Sequence, residues 1–254
     1  MTMDQALQEI IKQKPHLADL IRFYEKTIRF MNTVTRSGAV AGPRMNAYRP
    51  EHLEQVFRHF SALFDLPEGT LFPLKQALEA GEIDFTRIPL LEVPAFSLPY
   101  SEDDLIVLLF LLSRPYFISM RAGVRLLDPL WEKGICPVCQ GRPALASAQA
   151  DERQKVWCSF CGNVGTPPRT SCMICDATDQ AVSISVFDGE DGVKVQSCDA
   201  CRSYVKIVDA AVFLSRGPEL ADIASLPVDI AVQQKGYQRR APNPLGMLRM
   251  SVSG

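Results

Sequence analysis

Apolar residues in the first part of the chain return every three or four positions, the period of a helix with one buried side. Leu17, Leu20, Ile21, Tyr24, Ile28 and Met31 form one such stripe, and Leu53, Val56, Phe57, Phe60 and Leu63 form a second. A break over Thr33 to Pro43, carrying Gly38, Gly42 and Pro43, separates them, and Pro67 and Gly69 close the second. A shorter helix is expected from about Leu71 to Gly81, then a Pro-punctuated, irregular stretch from Ile88 to Pro99. Ser101 precedes the acids Glu102 to Asp104 and the apolar run Leu105 to Leu112. A capping hydroxyl followed by carboxylates marks a helix start, because both meet the free amides and positive dipole end there. This helix is apolar on nearly every side, which predicts a central position, with Pro115 interrupting it and a further helical piece reaching about Asp128.

The period then changes. Ala181 to Phe187 alternates in twos, Asp188-Gly-Glu-Asp-Gly192 turns, and Val193-Lys-Val-Gln196 returns, which is a hairpin pattern. A plainer version precedes it, with Pro143 to Gln149 leading out and Gln154 to Trp157 leading back. Lys-Val recurs in both returning strands, at Lys155-Val156 and Lys194-Val195, and suggests an internal duplication. Ser203 to Asp209 reads as a strand, Leu220 to Gly236 as a helix broken near Pro227, and the tail from Arg239 as irregular. The expected fold class is α+β. It comprises an all-α helical domain over 1–130, two small rubredoxin-like or zinc-ribbon β-hairpin units over 131–166 and 167–209, and a C-terminal helix and tail over 210–254.

The eight cysteines say what the hairpins carry. They form four C-x-x-C pairs, Cys136/Cys139, Cys158/Cys161, Cys172/Cys175 and Cys198/Cys201, with none among the first 135 residues. A two-residue gap lets the chain turn so that both sulfurs face one centre, as a tetrahedral metal site demands. Cys139 and Cys158 are separated by 18 residues, Cys175 and Cys198 by 22, and both gaps suit a hairpin. Only 10 residues separate Cys161 from Cys172, and they include Gly165, Pro167 and Pro168, which mark a junction. Grouping in chain order gives Cys136, Cys139, Cys158 and Cys161 as one metal site, and Cys172, Cys175, Cys198 and Cys201 as the other. The alternative interleaves outer with outer pairs, as in the zinc region of the DnaJ chaperones, whose C-x-x-C-x-G pattern recurs here only at Cys136 to Gly141. Four thiolates accept zinc or iron, and the spacing does not separate the two. A full sulfur shell leaves no open position for water, so the sites are structural or electron-transferring rather than hydrolytic. Hairpins of this size do not stand alone, and structural zinc supplies an apparent ~10–16 kcal/mol to the folding of comparable peptides.

Charge and composition narrow the rest. Lys and Arg number 27 against 29 Asp and Glu, for a formal charge of −2, and hydrophobic residues make up 47%. No global pull toward nucleic acid or anionic lipid follows from that balance. The longest wholly apolar run is far short of the ~20 residues of a bilayer span, and the N-terminus lacks the uninterrupted core of a secretory signal. A soluble, cytoplasmic chain without a membrane partner is expected. No Walker loop, G-x-G-x-x-G, G-x-S-x-G or H-E-x-x-H is present, so no catalytic residue is assigned. His16, His52 and His59 are expected to be solvated or capping. Arg142, Arg153, Lys155, Arg169, Lys194, Arg202 and Lys206 lie among the cysteine pairs, where they suit counterions to anionic sulfur centres. They also keep a zinc-ribbon nucleic-acid binder as the alternative function, with Trp157, Phe160 and Tyr204 as its candidate stacking platforms. A thiol-disulfide oxidoreductase is the third reading.

The run Cys136-Pro-Val-Cys139, Cys158-Ser-Phe-Cys161, Arg169-x-x-Cys172-x-x-Cys175 and Ser197-Cys198-Asp-Ala-Cys201-Arg-Ser-Tyr-Val-Lys206 resembles the formate dehydrogenase accessory protein family FdhE. So do Ala221-Asp-Ile-Ala-Ser-Leu-Pro-Val-Asp229, Gly236-Tyr237 and Asn243-Pro-Leu-Gly246. The resemblance implies a helical domain followed by two rubredoxin-like units with one metal each, iron being a reported occupant. It implies a cytoplasmic maturation factor that binds the catalytic subunit of a molybdenum-containing formate dehydrogenase and is no enzyme itself. The eight cysteines carry over as ligands. Two features depart from the family pattern: Gln140 stands where Gly is usual, and Gly162 to Pro168 replaces an aromatic-containing linker.

Overall fold

Helix ends in the N-terminal half are marked by local chemistry. The computed structural model describes residues 2–40, 48, 50–90, 97–124, 128–148, 154–167 and 171–250. Helix α1 (Met3–Gln13) opens on a capping box, in which the Gln5 amide donates to Thr2 Oγ1 and the Thr2 amide donates to Gln5 Oε1 at 2.8 Å. Helix α2 (Ala18–Arg36) runs on through Thr33, where a break was expected; Gly42 and Pro43 lie outside the described residues. Its buried stripe is Ile21, Tyr24, Thr27, Phe30 and Val34, so Leu20, Ile28 and Met31 flank the core instead of forming it. Thr27 disguised that stripe. Its hydroxyl donates to the Tyr24 carbonyl at 2.7 Å, which satisfies the polar group and leaves the methyl to pack. Helices α3 (Pro50–Leu63) and α4 (Phe72–Glu79) follow as expected, with Val56, Phe57 and Phe60 buried on α3. A 3-10 helix covers Phe85–Leu90, and positions 91–96 of the Pro-punctuated stretch lie outside the described residues.

Helix α5 (Glu102–Ala122) is the core helix that the pattern anticipated, buried from Leu105 to Phe117 on almost every side. Ser101 caps it by accepting from the Asp104 amide at 3.1 Å. Pro115 does not interrupt it. A proline removes one amide donor and disturbs the carbonyls one turn back, and in that turn the Tyr48 hydroxyl donates to the Leu112 carbonyl. Packing from all sides holds the remainder. By length and composition α5 could cross a membrane, yet 61% of its most apolar window is buried within the fold. The expected helical piece after it falls partly on positions 125–127, outside the described residues.

The two hairpin units merge into one sheet. Strands β1 (Leu145–Ala148), β2 (Lys155–Trp157) and β3 (Val164–Gly165) form one antiparallel meander, and β4 (Val182–Val186), β5 (Val193–Cys198) and β6 (Ser203–Asp209) form another. Each meander carries one cysteine pair before its first strand and one in the turn between its second and third, which is the duplication in three dimensions. Parallel pairing of β1 with β6, Leu145 opposite Lys206 through Ala148 opposite Asp209, joins them into a six-stranded sheet of order β3-β2-β1-β6-β5-β4. One sheet face packs on α5 through Ala146, Val156, Val205 and Ile207. Helices α6 (Ala210–Arg216), α7 (Pro218–Ala224) and α8 (Leu226–Gln234) follow the sheet; Leu220, Ile223 and Leu226 reach back to pack with α1 and α2. Ser225, between α7 and α8, is the break expected near Pro227.

A buried charge quartet fastens this C-terminal layer. Lys206 Nζ lies 2.7 Å from Asp222 Oδ1 and 2.5 Å from Asp229 Oδ2, and Arg239 pairs with Asp222 at 2.5 Å and Asp229 at 2.9 Å. Tyr204 donates to Asp229 at 2.6 Å, and Arg239 also donates to the Ala144 carbonyl at 3.1 Å. Two cations and two anions balance, and each remaining N–H has an oxygen partner, so β1, β6, α7, α8 and the tail are held by one network. Burial alone would push the Asp229 carboxyl up, but Lys206 and Arg239 outweigh it and hold it below the usual carboxylate range. Asp229→Asn is therefore expected to remove about 3–5 kcal/mol of stability in urea unfolding. Glu102→Gln, at an exposed pair with Arg249, should cost less than ~1 kcal/mol. Because Asp229 ionises lower in the folded chain, its contribution is complete above about pH 4 and is lost as pH falls through the depressed folded value.

Candidate metal centres

All four cysteine pairs use the same local turn. In the first three, the amide after the second cysteine bonds back to the first cysteine's carbonyl: Gln140 to Cys136 at 2.8 Å, Gly162 to Cys158 at 2.9 Å, Asp176 to Cys172 at 3.1 Å. The first cysteine's amide then bonds forward, Cys136 to the Gly141 carbonyl, Cys158 to Asn163 and Cys172 to Ala177. The reversal requires a left-handed residue just after the pair, and Gln140, Gly162, Asp176 and Arg202 all have φ between 52° and 72°. Three of the four are not glycine and carry the cost of that conformation. The absence of glycine after Cys139 thus changes the residue but not the turn.

The sulfurs meet in chain order. Cys136, Cys139, Cys158 and Cys161 form one group, and Cys172, Cys175, Cys198 and Cys201 the other, with the sulfurs of each group within 4.8 Å of one another. In the first, Cys136 to Cys161 is 3.6 Å and Cys139 to Cys158 is 3.4 Å; in the second, Cys172 to Cys201 is 3.8 Å and Cys175 to Cys198 is 3.9 Å. A tetrahedron with metal–sulfur bonds of about 2.3 Å has edges of about 3.8 Å, so the donor set and its spacing fit a four-coordinate thiophilic ion such as zinc or iron. The interleaved pairing is not seen. All eight cysteines are free of disulfides. Burial pushes the Cys158 and Cys172 thiols up, whereas a cation between the sulfurs would favour the thiolates.

The first group sits in the core against one face of α5. Phe160, inside the second pair, meets Phe110 and Phe117 edge-on with centroids at 5.0 and 5.6 Å. Arg114, fully buried, donates through Nε to the Ser159 carbonyl at 2.9 Å and pairs with Glu219 at 2.5 Å, which also accepts from the Tyr24 hydroxyl. Arg121 donates to Asn163 at 3.1 Å. Gly141 closes the other side: a Cβ there would lie 3.3 Å from the Cys158 sulfur and 3.3 Å from Phe160. The second group lies at the surface, with Cys175 exposed and Cys201 half-buried. The Ile174 amide donates to the Cys172 sulfur at 3.3 Å, and the Met173 amide to Gln196 at 3.0 Å. The two units touch where Gly134 passes over the Met173–Ile174 backbone and Arg142 donates to the Lys133 and Ile174 carbonyls.

Other expectations fare differently. Four of the basic residues are engaged away from sulfur: Lys206 in the quartet, Lys155 with Asp128 at 2.6 Å, Arg202 with Asp199 at 2.9 Å, Arg142 on carbonyls. Arg153 and Arg169 lie outside the described residues. Trp157, Phe160 and Tyr204 are buried and offer no stacking platform. His16 is exposed, as expected; His52 and His59 are half-buried on α3, neither caps a helix, and His59 stacks on Phe30. Glu102 and Asp103 start α5 and face Arg249. No motif marks the supporting role of Arg114 and Arg121, although a charged residue inside an otherwise apolar core helix is itself a sign of a dedicated partner.

Residues 170–246 match the family described as FdhE, C-terminal domain. Among curated proteins, the chain is similar to the FdhE homologue of Aquifex aeolicus, 28% identical over 151 residues, which are 58% of this chain and 53% of that protein. It is also similar to protein FdhE of Escherichia coli, 28% identical over 120 residues, 44% of this chain and 38% of that protein. The chain thus spans about half or less of the curated relatives it matches. The fold likeness reaches further: the crystal structure of the FdhE protein from Pseudomonas aeruginosa matches with a TM-score of 0.59 at 17% identity, covering 96% of this chain and 94% of that one.

Two substitutions at the centres should move stability in opposite directions. Gly134→Ala would place a Cβ 2.1 Å from the Met173 carbonyl oxygen and 2.9 Å from Ile174 Cα, and is expected to cost about 1–3 kcal/mol by forcing the two units apart. Gln140→Gly relieves a left-handed residue at an exposed position and should gain about 0.5–1 kcal/mol. Thermal unfolding of the purified proteins checks both, and a stabilising Gly134→Ala would contradict the docking described.

Proposed function

From this chain's similarity to the FdhE family we propose a metal-binding accessory protein, required for the maturation of active formate dehydrogenase and not itself an enzyme. The observation that carries the reading is the pair of four-sulfur groups, each spaced for one ion, inside a chain of FdhE character. Cys136, Cys139, Cys158 and Cys161 hold one ion and Cys172, Cys175, Cys198 and Cys201 the other, as iron or zinc. With four protein sulfurs around each ion no position is left for a substrate or a water, which favours a structural or electron-carrying role over turnover chemistry. Iron in such a shell changes charge by one electron with its sulfur ligands retained, which gives bound iron a redox use during client maturation. The client is the catalytic subunit of a molybdenum-containing formate dehydrogenase, met in the cytoplasm before export. Burial of Trp157, Phe160 and Tyr204, the candidate stacking platforms, weighs against nucleic acid, and sulfurs gathered in fours rather than twos weigh against thiol-disulfide exchange.

Protein purified without air should contain two metal ions per chain by elemental analysis, and visible absorbance separates iron from zinc. Cys139→Ser should lower the content to one ion and destabilise the chain. Immobilised protein should retain the catalytic subunit of a molybdenum-containing formate dehydrogenase from anaerobic extract. Failure to retain it under those conditions would count against the accessory reading while leaving the metal sites standing.

A further inference from the structure

The two four-sulfur groups are alike in their turns and unlike in their surroundings. In the first, all four sulfurs are buried, and Cys136, Cys158 and Cys161 are at most 1% exposed. On the side of the second pair, a competing ligand reaches them only after α5 parts, which breaks the Phe160 contacts with Phe110 and Phe117 and the Arg114 bond to Ser159. Opening of that kind disrupts the core, and segments packed there open least often. In the second group, Cys172 and Cys198 are buried but Cys175 is exposed and Cys201 half-exposed. Among the described residues, no packed element has to move before an incoming donor meets the Cys175 side of the site.

The neighbourhood of Cys175 strengthens the contrast. The strand that follows this pair, β4, lies at the sheet edge and leaves Ile184 55% and Val186 71% exposed. In the first unit the space beside Cys139 and Cys158 is filled by Gly141 pressed against the sulfurs and Phe160. After the second unit's first pair, Ala177 stands at the corresponding position and is only partly buried. The first group is walled by the helical domain; the second is backed by β5 on one side and faces solvent on the other.

We infer that the two centres divide the work: the first is a closed structural centre, and the second is the exchangeable one, trading its ion with soluble sulfur or nitrogen donors by way of Cys175. Exchange begins when the incoming donor bonds to the ion as the Cys175 sulfur leaves it and takes up a proton; no electrons move. This rests on the metal-binding reading above, because without bound ions there is nothing to exchange.

The test uses the full chain carrying zinc, with the content measured first. Excess 4-(2-pyridylazo)resorcinol is added, and zinc release is followed by absorbance. Two phases of equal size are expected, the fast one at least about ten-fold faster, since one site opens without disturbing the core. Iodoacetamide added after the fast phase, followed by peptide mass mapping, should find Cys175 and its three partners modified and Cys136, Cys139, Cys158 and Cys161 protected. Cys175→Ser should bind one ion and show the slow phase alone; the mapping of the unaltered protein decides the matter should that variant misfold. Fewer than two ions per chain at the outset would overturn the metal reading, and this inference with it. Two ions released in a single phase, or modification beginning in the first group, would overturn this inference alone.

Discussion

Two sulfurs three residues apart face one point only if the chain reverses between them, and that reversal ends in a left-handed residue. Gln140, Gly162, Asp176 and Arg202 all supply it. Three of these carry a side chain in a conformation that costs an ordinary residue roughly 1–2 kcal/mol, so the turn is kept against a local penalty. In each group the turns bring four sulfurs within 4.8 Å of one another. The hairpin arrangement of this half of the molecule follows from that demand. The hairpins bring the second pair back beside the first, and the third strand of each meander leaves directly from the turn.

Two small sulfur-centred hairpins would have little apolar surface of their own to bury. The fold solves this by fusing them through parallel β1 and β6 and by covering the two faces of the sheet with different layers. One face takes α5, whose residues Phe110, Arg114, Phe117 and Arg121 recur at helical spacing and grip the Cys158–Asn163 turn. The other takes α7 and α8, clamped by Lys206, Asp222, Asp229 and Arg239. Two of the stretches that carry the family resemblance, Ser203 to Lys206 and Ala221 to Asp229, contribute Tyr204, Lys206, Asp222 and Asp229 to that clamp. Their chemistry is thereby architectural, holding the second cysteine unit against the rest of the chain.

The asymmetry between the groups is a product of this layering. A helix can lie across only part of a twisted sheet, and α5 lies over the first unit and β6. The second unit extends beyond it, leaving Cys175 and the outer face of β4 uncovered. Equivalent sulfur sets thus acquire unequal access to solvent.

Much of this was legible in the residues alone. Cysteine spacing is a local property, so the four turns and the hairpins could be read directly, as could the cap at Ser101 and the apolar run that made α5 central. Chain-order grouping was readable as the preference but needed the structure to exclude the interleaved form, since only distance in space distinguishes them. The misreadings were of one kind. Thr27 inside the buried stripe, Pro115 inside an unbroken helix, and Lys206 as a presumed counterion to sulfur each depend on a partner far along the chain or on a back-bonded hydroxyl. One-dimensional patterns record what a residue prefers by itself. The parallel strand joining the units, the helix face that closes one centre and the exposure of Cys175 arise from contacts between segments scores of residues apart, and no local preference encodes them.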